Sequence, residues 1–347
     1  SEVPSELTDY LCANRAELHP YMSGKWEENG AKTVGSWENV FGEGIYTDEI
    51  FMAWHYASYV ERMASSAREI YDVPLFVNAA MNSRGRRPGE YPSAGPLAHL
   101  IDVWHCAAPS VDFIAPDLYD DGFKGWTAQY HLHNNPLFIP EIRHTQNNGV
   151  RAFYVFGEHN ALGFSPFAIE DGSDEQGTPF VEGYEKLREI MPLVTGWQGK
   201  DAMWGLLFDQ NDKERIIEDG SLVLTCRHNF TLPWDPRATD GSVWPEGGGI
   251  IIRIAENEYI VAGNGIVVEF ATASEKAFGK AAESLGEDGF ASAGSKGTGT
   301  PGRKAWKGTR CGIGSVDEVK VNADGSFSYI RRLNGDQDHQ GRHVRIS

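Results

Sequence analysis

Helical segments alternate with short, uniformly apolar runs in the first half of the chain, and this alternation most constrains the fold. In residues 47–71, apolar side chains recur at helical spacing, and Thr47 is a candidate N-cap. Apolar runs near residues 75, 113, 138 and 153 are typical of strands. Strands that are apolar on both faces occur in parallel sheets covered on both sides. The pattern therefore predicts parallel β/α units over residues 1–195.

The pattern changes near residue 196. From there to residue 347, short segments alternate apolar and polar residues, and Gly and Asp turns separate them. Alternation with a period of two, frequent turns and the lack of a long helical pattern are typical of antiparallel sheets. We therefore predict an α/β plus all-β protein, in which residues 196–347 form an antiparallel β-sandwich domain.

Charge and cysteine spacing narrow the range of functions. The net charge of −18 disfavours binding to nucleic acid or to an anionic membrane surface. The sequence has no run of 18 apolar residues that could span a bilayer. The four cysteines are scattered without zinc-ligand spacing, and no Gly-x-Ser-x-Gly motif indicates a serine hydrolase. We expect no nucleic acid partner, no membrane partner, no metal and no organic cofactor.

Polar residues follow three of the predicted strands at the point where each apolar run ends. Asn78 follows the first run, Asp117 and Tyr119 follow the second, and Glu141 follows "PLFIP". The carboxyl ends of parallel strands meet at one edge, where α/β barrels build their active sites. A buried carboxylate needs partners or a function. Spacing alone leaves two interpretations of Glu141 open: an ion pair with Arg143 that caps the strand, or a catalytic group.

The segments "PLFIPEIR", "DFIAPDLY", "GFSPFAIED" and "RLNGDQDHQGRHVRI" together resemble a subgroup of glycoside hydrolase family 35. These β-galactosidases have a (β/α)₈ TIM barrel and a C-terminal β-sandwich domain. The resemblance runs over nearly the whole chain but begins after barrel strand 4. It therefore implies the C-terminal half of a TIM barrel over residues 1–195 and the sandwich over residues 196–347, with "FYVFG" as barrel strand 8.

The resemblance also implies roles for particular residues. Glu141 matches the nucleophile of a retaining exo-β-galactosidase, and Tyr119 matches the residue that orients it. Asn78 would line the pocket, and Phe164 would form a wall of the sugar site. The acid/base glutamate belongs at the end of strand 4, so it is not expected in this chain. The similar stretch Glu256–Glu258 lies among the sandwich strands and matches no barrel strand.

The resemblance further implies a galactoside oligosaccharide as substrate, and an N-terminal polypeptide that completes the barrel. Two alternatives stay open: another retaining exo-β-glycosidase of the same clan, such as a β-glucosidase-like enzyme, and a non-catalytic carbohydrate-binding protein. The compartment is not fixed by the sequence, although we favour a secreted or periplasmic location over the cytoplasm.

Overall fold

The computed structural model describes residues 1–132, 134–171, 178–232, 234–277, 308, 311–334 and 343–346. The chain separates into two compact units. The first comprises Ser1–Asn148 and Val155–Val181, and the second comprises Gly149–Tyr154 and Glu182–Ser347. The division between Val181 and Glu182 falls inside a helix that begins at Thr178 and ends at Trp197. The predicted domain boundary at residue 195 lies near the end of the same helix.

Helices and strands alternate through the first half of the chain. The helices are α1 Ser5–Ala13, α2 Pro20–Glu28, α3 Trp37–Phe41, α4 Ile45–Ile70, α5 Ile101–Ala107, α6 Phe123–Tyr130, α7 Asn148–His159 and α8 Thr178–Trp197. The strands are β1 Phe76–Ala80, β2 Phe113–Leu118, β3 Phe138–Ile142 and β4 Gly163–Pro166. All pairings in this sheet are parallel, in the order β1-β2-β3-β4. The prediction of parallel β/α structure is confirmed.

The fourth predicted strand was placed wrongly. The apolar run near residue 153 is part of helix α7, and strand β4 follows it at Gly163–Pro166. Side chains of α7 from Ala152 to Phe156 are all at least nine-tenths buried. A helix buried all round has no polar face, so its short apolar run looks the same as a buried strand.

Helix α4 begins two residues earlier than the predicted cap. Gly44 is its N-cap, and the Thr47 hydroxyl donates instead to the carbonyl oxygens of Phe41 and Gly42. The buried stripe of the helix consists of Ile50, Ala53, Ala57 and Ala64. The three alanines leave room for close packing against α4, and Asp48 in the first turn of the helix complements the helix dipole.

Asn135 fixes the approach of the chain to strand β3. Its side chain is fully buried and forms two hydrogen bonds with the backbone of strand β2, as a neighbouring strand would. The Oδ1 atom accepts from the Ile114 N–H at 2.8 Å, and the Nδ2 atom donates to the Ile114 carbonyl at 3.0 Å. These two bonds satisfy backbone groups of β2 just before β3 begins.

The second unit contains antiparallel strands. These are β5 Met203–Phe208, β6 Glu214–Asp219, β7 Leu222–His228, β8 Gly247–Ala255, β9 Glu258–Asn264, β10 Ile266–Thr272, β11 Val316–Val321, β12 Phe327–Leu333 and β13 His343–Ile346. Among the described residues they form sheets in the orders β13-β10-β7-β6, β5-β8-β9 and β11-β12. The predicted antiparallel character is confirmed. The "GDQDHQGR" part of the C-terminal motif, residues 335–342, lies outside the described residues.

A buried cluster with Leu206, Leu224, Ile251 and Val268 forms the core of this unit. The glycine run at the start of β8 has a steric reason. A Cβ on Gly248 would lie 2.8 Å from the Leu206 carbonyl oxygen, closer than real Cβ atoms approach backbone. Within the described residues, no helix combines the length and apolar character needed to cross a bilayer.

A buried carboxylate joins helix α4 to the loop that follows β1. Glu49 is 1% exposed and accepts hydrogen bonds from the Tyr91 hydroxyl at 3.1 Å and the Ala94 N–H at 3.2 Å. His99 Nε2 lies 2.9 Å from the same carboxylate. Three polar groups from the segment between β1 and α5 therefore depend on a single side chain.

We predict that Glu49→Ala lowers the free energy of unfolding by about 3 kcal/mol, because it leaves buried donors without an acceptor. Urea denaturation followed by circular dichroism measures the change. Glu43→Ala, at an exposed position just before the same helix, is the control and should change stability by less than about 0.5 kcal/mol. Equal stability of the two variants would contradict the anchoring role.

Candidate active site

Four polar side chains lie together on the parallel sheet: Asn78, Asp117, Tyr119 and Glu141. The last three lie at or just beyond the carboxyl ends of β2 and β3, whereas Asn78 is in the middle of β1 and reaches the group through Asp117. Residues at positions i and i+2 of a strand share a face, so Asp117 and Tyr119 point to the same side. In the register of the sheet, Asp117 pairs with Glu141. The structure thus brings together three of the residues that the sequence predicted for the site, along with Asp117, to which no role was assigned.

The Glu141 carboxylate is held by Tyr119. The Tyr119 hydroxyl donates to Glu141 Oε1 at 2.5 Å. Desolvation, the hydrogen bond to Glu141 and the negative charges of Glu141 and Asp117 raise the pKa of Tyr119 to about 12, with a small opposing effect of Arg143. The phenol therefore stays protonated at neutral pH, and it remains a donor to the carboxylate.

An irregularity in strand β3 aims Glu141 at this face. The rings of Phe76, Phe113 and Phe138 contact one another, with centroids 4.9–5.9 Å apart, so Phe138 lies on the face of the site. Glu141 is three residues beyond Phe138, and regular alternation would direct it to the opposite face. The β3–β4 register shifts between Ile139 and Ile142. Pro140 lies within this irregularity and has no N–H to donate to a neighbouring strand. The irregularity turns the Glu141 side chain back to the face of the sheet on which Tyr119 lies.

Arg143 does not form the ion pair that its spacing from Glu141 suggested. Its guanidinium donates to the Tyr119 carbonyl oxygen at 2.5 Å and lies 3.6 Å from the exposed carboxylate of Asp121. Within the described residues, no ion pair reaches Glu141. In the described part of the chain, the carboxylate is thus held at Oε1 by a neutral phenol, and neither of its oxygens is bonded to a basic side chain.

Asp117 places a second carboxylate beside Glu141. Asn78 Nδ2 donates to Asp117 Oδ1 at 2.6 Å. Partial burial and the charge of Glu141 raise the pKa of Asp117, while the hydrogen bond from Asn78 opposes that rise. A signal for this residue was present in the sequence, because its spacing of two from Tyr119 puts both side chains on one face.

Phe164 lies elsewhere. It pairs with Ile139 in the register, is 6% exposed, and packs edge-to-face against Phe123 of helix α6. The structure therefore does not bring Phe164 together with Asn78, Tyr119 and Glu141, because register assigns its side chain to the helix-covered side of the sheet.

Two loops meet beside the site. Arg84, in the loop after β1, forms an ion pair of 2.8 Å with Asp120, which follows Tyr119.

The stretch Glu256–Glu258 lies at the turn between β8 and β9 in the second unit, where Asn257 has a φ of +61°. No group of three or more His, Cys, Asp or Glu residues suited to a metal ion occurs in the described part of the chain.

Comparison with known proteins adds one match. Residues 180–345 match a family described as a domain of unknown function (DUF5597). No curated protein matches the chain. The matched region corresponds largely to the second unit and does not include Asn78, Asp117, Tyr119 or Glu141. The chemistry of the site must therefore be argued from its own geometry.

We predict that the pKa of Asp117 moves in opposite directions in two variants. Glu141→Gln removes a neighbouring negative charge and should lower this pKa, whereas Asn78→Ala removes a donor to the carboxylate and should raise it. Carboxyl-carbon NMR titration measures both changes. Glu256→Gln, which neutralises a glutamate in the β8–β9 turn, should leave the titration of Asp117 unchanged. Shifts of the same sign in both site variants would refute the arrangement.

Proposed function

We propose that this chain is the nucleophile-bearing part of a retaining exo-β-galactosidase similar to glycoside hydrolase family 35. The observation that carries the proposal is the Glu141 carboxylate at the carboxyl edge of a parallel sheet. It is held by the Tyr119 hydroxyl and has no basic partner among the described residues. An ion-paired carboxylate would be a weak nucleophile, whereas this one keeps an oxygen for attack. Active sites of α/β barrels lie at this edge of the sheet.

The reaction divides between two carboxyl groups. The free oxygen of Glu141 attacks the anomeric carbon, and the glycosidic C–O bond breaks as the leaving oxygen takes a proton from a second carboxyl group. Water, deprotonated by that second group, then hydrolyses the glycosyl ester and regenerates Glu141. Retention requires the two carboxyl groups to lie about 5–5.5 Å apart. We propose that the second group comes from an N-terminal polypeptide that supplies barrel strands 1–4.

Tyr119 has a defined part in this scheme. Its hydroxyl donates to one oxygen of Glu141, which fixes the rotation of the carboxylate and aims the other oxygen. Because the phenol is neutral, it stabilises the charged carboxylate less than an arginine would and does not suppress its nucleophilicity. Once the ester has formed, the same hydroxyl can donate to the remaining carbonyl oxygen.

The surface of the first unit supports a half-barrel that another polypeptide completes. Strand β1 pairs only with β2 among the described strands, so its other edge is open. Phe76 on β1 is 42% exposed although it stacks on Phe113. An open parallel edge beside an uncovered aromatic side chain is an aggregation hazard that proteins normally cover.

Helix α4 has a second apolar stripe on the side away from its buried residues. It consists of exposed side chains at near-heptad spacing: Ile45, Met52, Tyr56, Tyr59, Met63 and Ile70. We refer to these six residues as the α4 stripe. Because α4 directly precedes the edge strand β1, the strand and helix that come next in a parallel β/α sheet would lie against both. We therefore propose that the polypeptide with barrel strands 1–4 packs against the α4 stripe.

For the second unit, we propose that its antiparallel sheets form a β-sandwich.

We predict that Tyr59→Lys combined with Met63→Lys weakens association of the two parts at least tenfold, because charged ammonium groups would have to be buried. Size-exclusion chromatography of separately expressed parts measures association. Glu69→Lys, on the same helix but outside the α4 stripe, is the control. Unchanged association in the double variant would exclude the α4 stripe as the interface.

Glu141 can be identified directly by trapping. The complete protein is incubated with 2,4-dinitrophenyl 2-deoxy-2-fluoro-β-galactoside, whose good leaving group allows a glycosyl ester to accumulate. We expect intact mass to rise by one fluorogalactosyl group, and peptide mapping to place it on Glu141. Glu141→Gln should stay unlabelled and lose turnover by at least about 10³-fold, whereas Glu256→Gln should behave as wild type.

Two outcomes would change the assignment. Labelling on another residue would remove Glu141 as the nucleophile. A panel of nitrophenyl glycosides separates a β-galactosidase from a β-glucosidase-like enzyme, and sugar binding without hydrolysis of any of them would favour a carbohydrate-binding protein.

A further inference from the structure

We propose that Asp117, presented by Asn78, accepts a hydrogen bond from the 2-hydroxyl of the sugar whose anomeric carbon lies on Glu141. This inference rests on the proposed glycosidase function. It concerns a residue to which the resemblance to glycosidases assigned no role.

The register of the sheet gives the first argument. Asp117 and Glu141 are paired across β2 and β3, and neighbouring strands lie about 4.8 Å apart. Both side chains are on the face of Tyr119, because Tyr119 is two residues beyond Asp117 and donates to Glu141. A sugar bound with its anomeric carbon at Glu141 therefore has the Asp117 carboxylate about one strand spacing to the side. The hydroxyl on the adjacent carbon is the ring hydroxyl nearest to that position.

The hydrogen bonds around Asp117 give the second argument. Asn78 Nδ2 donates to Oδ1 at 2.6 Å, and this bond fixes the rotation of the carboxylate. No protein donor to Oδ2 occurs among the described residues. Basic side chains nearby have other partners: Arg143 binds the Tyr119 carbonyl oxygen, and Arg84 binds Asp120. Asp117 thus has an oriented acceptor oxygen available to a ligand.

The chemistry of the reaction gives the third argument. The transition state is oxocarbenium-like, and hydrogen bonds to the 2-hydroxyl strengthen as it forms. A carboxylate acceptor bonds more strongly than a neutral one, and its negative charge also favours positive charge at the anomeric carbon. Asp117 would therefore contribute more to the transition state than to the bound substrate, and its removal should lower kcat more than it raises KM.

The test compares two substrates in the complete enzyme: 2,4-dinitrophenyl β-galactoside and its 2-deoxy analogue. For Asp117→Ala, we expect kcat/KM to fall on the order of 100-fold with the 2-hydroxy substrate and by less than about threefold with the 2-deoxy substrate. Asp117→Asn keeps a neutral acceptor and should show an intermediate loss. Asp121→Asn, which changes an exposed aspartate four residues further on, is the control and should lose less than twofold with either substrate.

Each outcome separates the hydroxyl contact from a structural role and from the proposed function. Equal losses with both substrates in Asp117→Ala would overturn the inference, since a residue that only ties β1 to β2 affects both substrates alike. If Asp117→Ala does not fold, Asp117→Asn alone decides by the same ratio. If wild-type enzyme neither hydrolyses the galactoside nor is trapped at Glu141, the proposed function fails before Asp117 is tested.

Discussion

The hydrogen bond from Tyr119 to Glu141 connects strands β2 and β3 at the edge where the site lies, and the other features of the site depend on it. It forms only because β3 is irregular between Ile139 and Ile142. With regular alternation, Glu141 would point towards the helix-covered side, and Tyr119 would have no carboxylate to bind. The one-residue change of face thus converts an ordinary buried strand end into a site with two neighbouring carboxylates, Glu141 and Asp117.

Part of this site follows from the sequence, because the pattern of polar residues at strand ends is local. Asn78, Tyr119 and Glu141 each follow an apolar run, and parallel strands bring such positions to one edge. The parallel character of the sheet follows for the same reason. Asp117 could have been predicted as a site residue from its spacing of two from Tyr119. Its hydrogen bond with Asn78 could not, because it depends on the order of the strands in the sheet.

Other features could not be obtained from the sequence because they depend on pairing or burial. Phe164 lies in an apolar segment that suits either face, and only its register with Ile139 assigns it to the side of Phe123. Residues 152–156 are apolar throughout and buried, so their pattern is the same for a buried helix as for a buried strand. Thr47 has the residue type of an N-cap, but its hydroxyl donates to the carbonyl oxygens of Phe41 and Gly42 and does not cap the helix.

The loop after β1 is fastened at its base by buried hydrogen bonds, whereas its tip lies at the surface. Glu49 accepts hydrogen bonds from Tyr91 and Ala94, whereas Arg84 is exposed and forms an ion pair with Asp120. Insertions or replacements in that tip would leave the buried carboxylate and its donors in place, so they would cost little folding energy. The sequence of this tip can therefore change without disturbing the edge of the sheet that holds Glu141. The fold thus separates a buried scaffold from a surface segment in which changes cost little stability.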